Sequence, residues 1–210
     1  MNEEVNAMKK MILLSVLVLL IPVIVHSQDK VEAPIWNVGD RWSFTAYPTA
    51  VVIKADESTY TVKSIKSNKE DIYIYDKSSL NILHSMEGDR RIPFKGADKR
   101  MLNFPLTGSW KDTYSTSVYR ANIRFPQEYS YVQSYAVLGW EDVEVRAGKF
   151  KGLKIEVKYE RLQEITGSPK EGKLWVWYSP DVKYLIKCKH DIAYWPGYPD
   201  WELASFRLKK

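Results

Sequence analysis

Hydrophobic and polar positions alternate without a break from Leu153 to Glu160. Leu153, Ile155, Val157 and Tyr159 fall on one side, and Lys154, Glu156, Lys158 and Glu160 on the other. A period of two over this length predicts a half-buried β-strand. Just upstream, Val143-Glu144-Val145 leads through Arg146-Ala147-Gly148-Lys149 to Phe150. Gly148 can take the positive φ of a tight turn, so this stretch predicts a hairpin. The pattern recurs in Asp71 to Asp76, where Ile72 and Ile74 alternate with Tyr73 and Tyr75, and in the Tyr- and Val-rich Glu128 to Leu138. Lys173 to Tyr178 is apolar on both sides, with Leu174, Val176 and Tyr178 against Trp175 and Trp177. Strands are also predicted at Lys183 to His190 and from Trp201 to Leu208, and Trp36 to Trp42 reads as a turn into the first strand.

Glycine and proline punctuate these segments at Gly88, Pro93, Gly96, Gly108, Pro126, Gly139, Gly167, Pro169, Pro180, and from Pro196 to Pro199. Short strands joined by such turns, with few helical signals, predict a mainly β fold built on an antiparallel sheet. No repeat, low-complexity tract or long linker divides the chain, so residues 28–210 are expected to form one domain. That length suffices for a hydrophobic core without staples.

The first residues have a different character. Met8-Lys9-Lys10 precedes an apolar run from Met11 to Val25, broken only by Ser15 and Pro22, and Val25-His26-Ser27 follows. Basic, greasy and small-residue parts in this order are those of a secretory signal. The run is roughly 15 residues, short of the roughly 20 that span a bilayer. Residues 1–27 are therefore expected to be a signal peptide cut after Ser27, with a periplasmic or secreted product and no stable membrane span after cleavage. No cysteine lies near the cut, and the lone Cys188 forms no internal disulfide.

The net charge of +5 is dispersed along strands rather than gathered in a stripe, so nucleic acid is not an expected partner. One basic cluster, Arg90, Arg91, Lys95, Lys99 and Arg100, reads as a solvated loop or as a contact for an anionic envelope surface. Cys188 and His190 are two apart on one strand, sharing a side with Ile186 and Tyr184, but no third group orients the imidazole as a nucleophile pair needs. A buried thiol beside a satisfied histidine is the simpler reading. Glu141, Asp142 and Glu144 sit together as in a solvated turn, not across a sugar as glycoside hydrolysis requires. No phosphate loop, nucleophile elbow or metal-binding spacing occurs, so neither catalysis nor a cofactor is expected. The aromatic run Tyr194-Trp195-Pro196-Gly197-Tyr198-Pro199-Asp200-Trp201 carries four rings that could stack on a sugar, or fold over the end of the sheet.

Three patches carry a resemblance over roughly the C-terminal half. They are Phe104-Pro105-Leu106 with Gly108 and Trp110; Glu141 to Phe150 with Lys154; and Trp177-Tyr178-Ser179-Pro180 with the closing Glu202-Leu203-Ala204-Ser205-Phe206. In these the chain resembles uncharacterised exported bacterial proteins of domain-of-unknown-function families, some related to the LolA and LolB lipoprotein-localisation superfold. The resemblance implies a curved antiparallel sheet, a half-open barrel whose concave face can hold an acyl chain or an apolar segment of a partner. The sequence predicts no amphipathic helices like those of LolA to plug or lid that face. The expected function is thus a non-catalytic envelope protein binding an apolar ligand or a partner protein on its sheet. The alternative is a carbohydrate-binding module built on the aromatic loop. Candidate contact residues are Trp175, Trp177, Tyr194, Trp195, Tyr198 and Trp201. A rival to an open concave face is that Ser79 to Trp110 folds back and fills it with Phe94, Phe104 and their neighbours.

Overall fold

The computed structural model describes residues 30–67, 69–87, 90–93, 104–118, 127–162, 171–191 and 199–210. Twelve strands lie within them: β1 (Arg41–Phe44), β2 (Thr49–Ala55), β3 (Thr59–Lys66), β4 (Lys69–Asp76), β5 (Ile82–Glu87), β6 (Arg90–Pro93), β7 (Ser109–Val118), β8 (Gln127–Val145), β9 (Gly148–Arg161), β10 (Glu171–Ser179), β11 (Tyr184–His190) and β12 (Trp201–Arg207). There is no helix among the described residues. The strands form one open sheet in the order β6-β5-β4-β3-β2-β1-β12-β11-β10-β9-β8-β7. Every pairing is antiparallel. The mainly β, antiparallel expectation holds. The signal peptide lies outside the described residues.

This order has a simple logic. Two six-stranded meanders, β1–β6 and β7–β12, are joined side by side where β1 pairs β12. The segment joining β6 to β7 must therefore pass from one edge of the sheet to the other. Its described part is pinned on the way: Val31 and Leu106 exchange backbone hydrogen bonds of 3.1 and 2.8 Å, and the Phe104 N–H donates to the Ser79 carbonyl at 3.3 Å. Phe104 and Leu106 are buried, and the Phe104 ring meets Tyr178 edge-on at 5.3 Å. The Ser79–Trp110 segment thus does two things: it supplies β5, β6 and the start of β7, and it sends Phe104 and Leu106 into the core. Phe94 lies outside the described residues.

Alternation shapes β9 as expected, with Leu153, Ile155 and Val157 buried and Lys158 and Glu160 exposed. The hairpin before it is also present. Val145 pairs Gly148 across Arg146-Ala147, and Gly148 sits at φ 135°, a value L side chains avoid. Gly139, expected to end a strand, instead lies inside the 19-residue β8 at φ 135°. It marks a bulge between Val137 and Gly139 that bends the strand without ending it. Consequently Glu141, Asp142 and Glu144 are strand residues near the end of β8, not turn residues. Each faces a lysine across the hairpin: Lys154 at 3.5 Å, Lys151 at 3.2 Å and Lys149 at 3.6 Å respectively.

A second bulge corrects the reading of β11. The register slips between Trp177 and Tyr178, so that Cys188 lies beside Val176 but Leu185 lies beside Tyr178. Strict alternation from Tyr184 through Ile186 to Cys188 is broken, and Leu185 and Ile186 are both buried.

Candidate functional site

The central strands assemble an aromatic cluster around Trp36 and Trp42, which the sequence marks only as a turn into the first strand. Trp36 lies 5.3 Å from Trp42, 5.2 Å from Tyr60, 5.5 Å from Tyr75 and 5.6 Å from Tyr184, ring centre to ring centre. Trp42 stacks on Tyr184 at 4.8 Å. Both indole N–H groups are satisfied by the turn before β11: Trp36 donates to the Lys183 carbonyl at 2.9 Å and Trp42 to that of Val182 at 2.8 Å. Offset and edge contacts of this kind add to simple burial. Burial pushes the Tyr75 phenol up, and raises that of Tyr184 to about 12.

Trp201 joins this cluster. It meets Phe44 edge-on at 4.9 Å and Tyr47 at 5.2 Å, and it is only 5 % exposed. Trp175 and Trp177 lie elsewhere. Register places Val176, Cys188 and Trp201 in one row across β10, β11 and β12, and Trp177, Lys187 and Glu202 in the next. Adjacent rows point to opposite faces. Of the six candidate contact residues, the structure therefore separates Trp175 and Trp177 from Trp201. Tyr194, Trp195 and Tyr198 lie outside the described residues.

Trp177 itself is covered by the chain. Its indole N–H donates to Glu141 Oε1 at 2.6 Å, and Lys154 and Lys187 hold their ammonium groups 5.2 and 5.7 Å from its ring. Cations over an indole face are attracted by the ring quadrupole. Gly152 leaves room beneath: a Cβ there would lie 2.8 Å from Val143 and 3.4 Å from Trp177. Toward the end of the β8–β9 hairpin, the side chains of Val143, Trp177 and Ile186 thus all close around Gly152. The hairpin tip reaches β12, where the Ala147 N–H donates to the Leu203 carbonyl at 3.1 Å. Trp175 is half-buried, with Lys173 Nζ 5.5 Å from its ring. Beside it, burial raises the Glu156 carboxyl, but hydrogen bonds from Lys158 and Lys173 outweigh this and hold it below its ordinary range.

The histidine has a partner that sequence did not disclose. His190 Nδ1 lies 3.1 Å from Asp200 Oδ1, which also accepts the His190 backbone N–H at 2.8 Å. An orienting carboxylate is therefore present. The thiol two residues away is unsuited to attack, however: Cys188 is 2 % exposed, and burial, with the charge of Asp200 adding to it, raises its pKa to about 12. A thiol becomes a nucleophile by the opposite shift. Among the described residues no group of three or more His, Cys, Asp or Glu is placed to hold a metal ion.

No family model matches the chain, and no curated protein sequence is significantly similar to it. Solved structures give distant likenesses. A hypothetical lipoprotein, YmcC of Escherichia coli, aligns over 86 % of this chain and 90 % of its own at 8 % identity, with a TM-score of 0.48. A protein of Parabacteroides distasonis, provisionally described as a lipoprotein, aligns over 86 % of this chain and 100 % of its own at 13 % identity and a TM-score of 0.39. One of Bacteroides fragilis, provisionally described as exported and of YmcC-like fold, aligns over 85 % of this chain and 100 % of its own, also at 13 % and 0.39. None of the three is described as LolA or LolB. All lie below a TM-score of 0.5, too distant to transfer a site or an activity.

Proposed function

We propose that this chain is an exported, non-catalytic protein of the bacterial envelope whose sheet is a scaffold for binding a partner. The observation that carries this reading is how the chain covers its own apolar surfaces. Phe104 and Leu106 are buried with the Trp36–Trp42–Tyr184 cluster, and lysine stems and the β8–β9 hairpin cover Trp177. A container for an acyl chain needs such surfaces free. The buried, high-pKa Cys188 argues against a nucleophile. The acids on the β8–β9 hairpin are paired to lysines and are not gathered about a cleft. The carbohydrate reading loses Trp201, whose ring is buried, and rests on Tyr194, Trp195 and Tyr198 alone.

Two measurements test the proposal. N-terminal sequencing of the exported protein is expected to begin at Gln28; an intact Met1 or Met8 on a membrane-embedded chain would refute export. Organic extraction and mass spectrometry of the native protein, with a fluorescent fatty-acid titration, are expected to give no lipid and no saturable binding. A stoichiometric co-purified lipid would restore the apolar-ligand reading.

A further inference from the structure

Where the two meanders join, β1 and β12 place two arginines directly opposite each other: Arg41 pairs with Arg207, and two residues along Ser43 pairs with Ser205. Like charges directly opposite in a sheet repel. Among the described residues no carboxylate lies within ion-pair distance of either arginine. The adjacent Asp40 is buried, and its two oxygens are taken by backbone amides, Oδ1 by Lys209 at 2.6 Å and Oδ2 by Asn37 at 2.8 Å. Glu202, the acid on β12, faces Arg146 at 3.9 Å. The Asp40–Lys209 bond also ties the end of β12 to the start of β1, so the two arginine backbones cannot slide apart. Arg41, Ser43, Ser205 and Arg207, with Phe206 between the last two, line an open cleft of about 250 Å³. The Ser43 hydroxyl accepts from Thr49 Oγ1 at 3.3 Å, which leaves its own proton free to donate.

We infer that the Arg41–Arg207 and Ser43–Ser205 pairs form a binding site for a tetrahedral oxyanion of the phosphate class. Guanidinium forks match the oxygens of phosphate or carboxylate in pairs. Two forks and two hydroxyls offer more donors than the two oxygens of a carboxylate can use, but suit the four of a phosphate. An anion between the arginines also removes the repulsion that the register imposes. The inference goes beyond the scaffold reading and does not depend on it. The phosphate could be free or part of a lipid headgroup, and the test separates these.

Calorimetric titration of the purified chain with inorganic phosphate, against chloride at equal ionic strength, is expected to show one saturable site. Phosphate is then expected to raise the melting midpoint, because a ligand that binds only the folded state stabilises it. R41Q and R207Q should each weaken binding at least tenfold and abolish the phosphate-dependent rise in Tm, while K66Q, at an exposed lysine one position beyond Ile65 and so on the opposite face of the sheet, leaves both unchanged. Both arginine variants are exposed and should melt no lower than the parent without phosphate. In a second arm, vesicles of phosphatidylglycerol and of phosphatidylcholine are floated with the chain. Retention on phosphatidylglycerol that R41Q removes and K66Q keeps assigns the site to a lipid headgroup; phosphate binding without retention assigns it to a soluble phosphate. No binding in either arm, or equal losses in K66Q and R41Q, overturns the inference.

Discussion

At the scale of the residue, burial decides the chemistry of the titratable groups in the core. Cys188 and Tyr184 have pKa values raised to about 12, and that of Tyr178 is raised further, in each case first by desolvation of the charged form. A raised pKa means that the folded state holds its proton more tightly than the unfolded chain. The corresponding stability is complete below the unfolded values and is lost as pH rises through the folded ones. Urea midpoints are therefore expected to be level near neutrality and to fall between about pH 9 and 12. Cys188→Ala should remove the earliest part of that fall, cost about 1 kcal/mol at neutral pH, and leave any binding intact. Rapid modification of the folded wild type by a thiol reagent at pH 7 would contradict this account. Trp177 offers a second test. Trp177→Phe removes the hydrogen bond to Glu141, a carboxylate that water can still reach. The loss is expected to be about 1–2 kcal/mol by chemical denaturation, and a neutral substitution would show that the bond contributes little.

At the scale of the element, the β8–β9 hairpin is the part whose shape matters most. Its bulge at Gly139 bends it, Val143, Trp177 and Ile186 close around Gly152 toward its end, and its tip bonds to β12. Gly152 permits the close approach. A Cβ there would stand 2.8 Å from a methyl of Val143, closer than a packed core tolerates. Gly152→Ala is expected to destabilise by about 1–3 kcal/mol through overpacking, and Val143→Ala in the same chain should recover part of that loss. Additive costs in this double-mutant cycle would mean that the two residues do not touch.

At the scale of the whole molecule, the sheet order explains why the interior is filled. A chain whose meanders meet at β1 and β12 leaves β6 and β7 at opposite edges, and the segment between them has to cross. That crossing delivers Phe104 and Leu106 to the core beside Tyr178. Phe104→Ala should cost about 3–5 kcal/mol and open a cavity that takes up a fluorescent fatty acid or a small apolar dye, while the wild type takes up neither. Uptake by the wild type equal to that of the variant would show that the interior is already open.

The sequence by itself determined the fold class. Period-two alternation is a local property of consecutive side chains, so β9, β10, β11 and the Gly148 hairpin were legible without any knowledge of their neighbours. The burial of Cys188 was legible for the same reason. What tertiary structure alone decided is everything that depends on pairing over long distances. Gly139 looks the same in a sequence whether it ends a strand or bends one. The bulge opposite Trp177 changes which side chains share a face of β11, and no local pattern announces it. Asp200 reaches His190 because β11 and β12 pair side by side, and Glu141 reaches Trp177 and Arg207 stands opposite Arg41 because of register between strands far apart in the chain. A one-residue slip in any of those registers would send the same side chains to the other face. Trp175, Trp177 and Trp201, all candidate contact residues, divide for that reason: the sequence puts the first two on one strand and Trp201 where the aromatic loop meets the last strand, but only the pairing of β10, β11 and β12 sets which side of the sheet each ring faces.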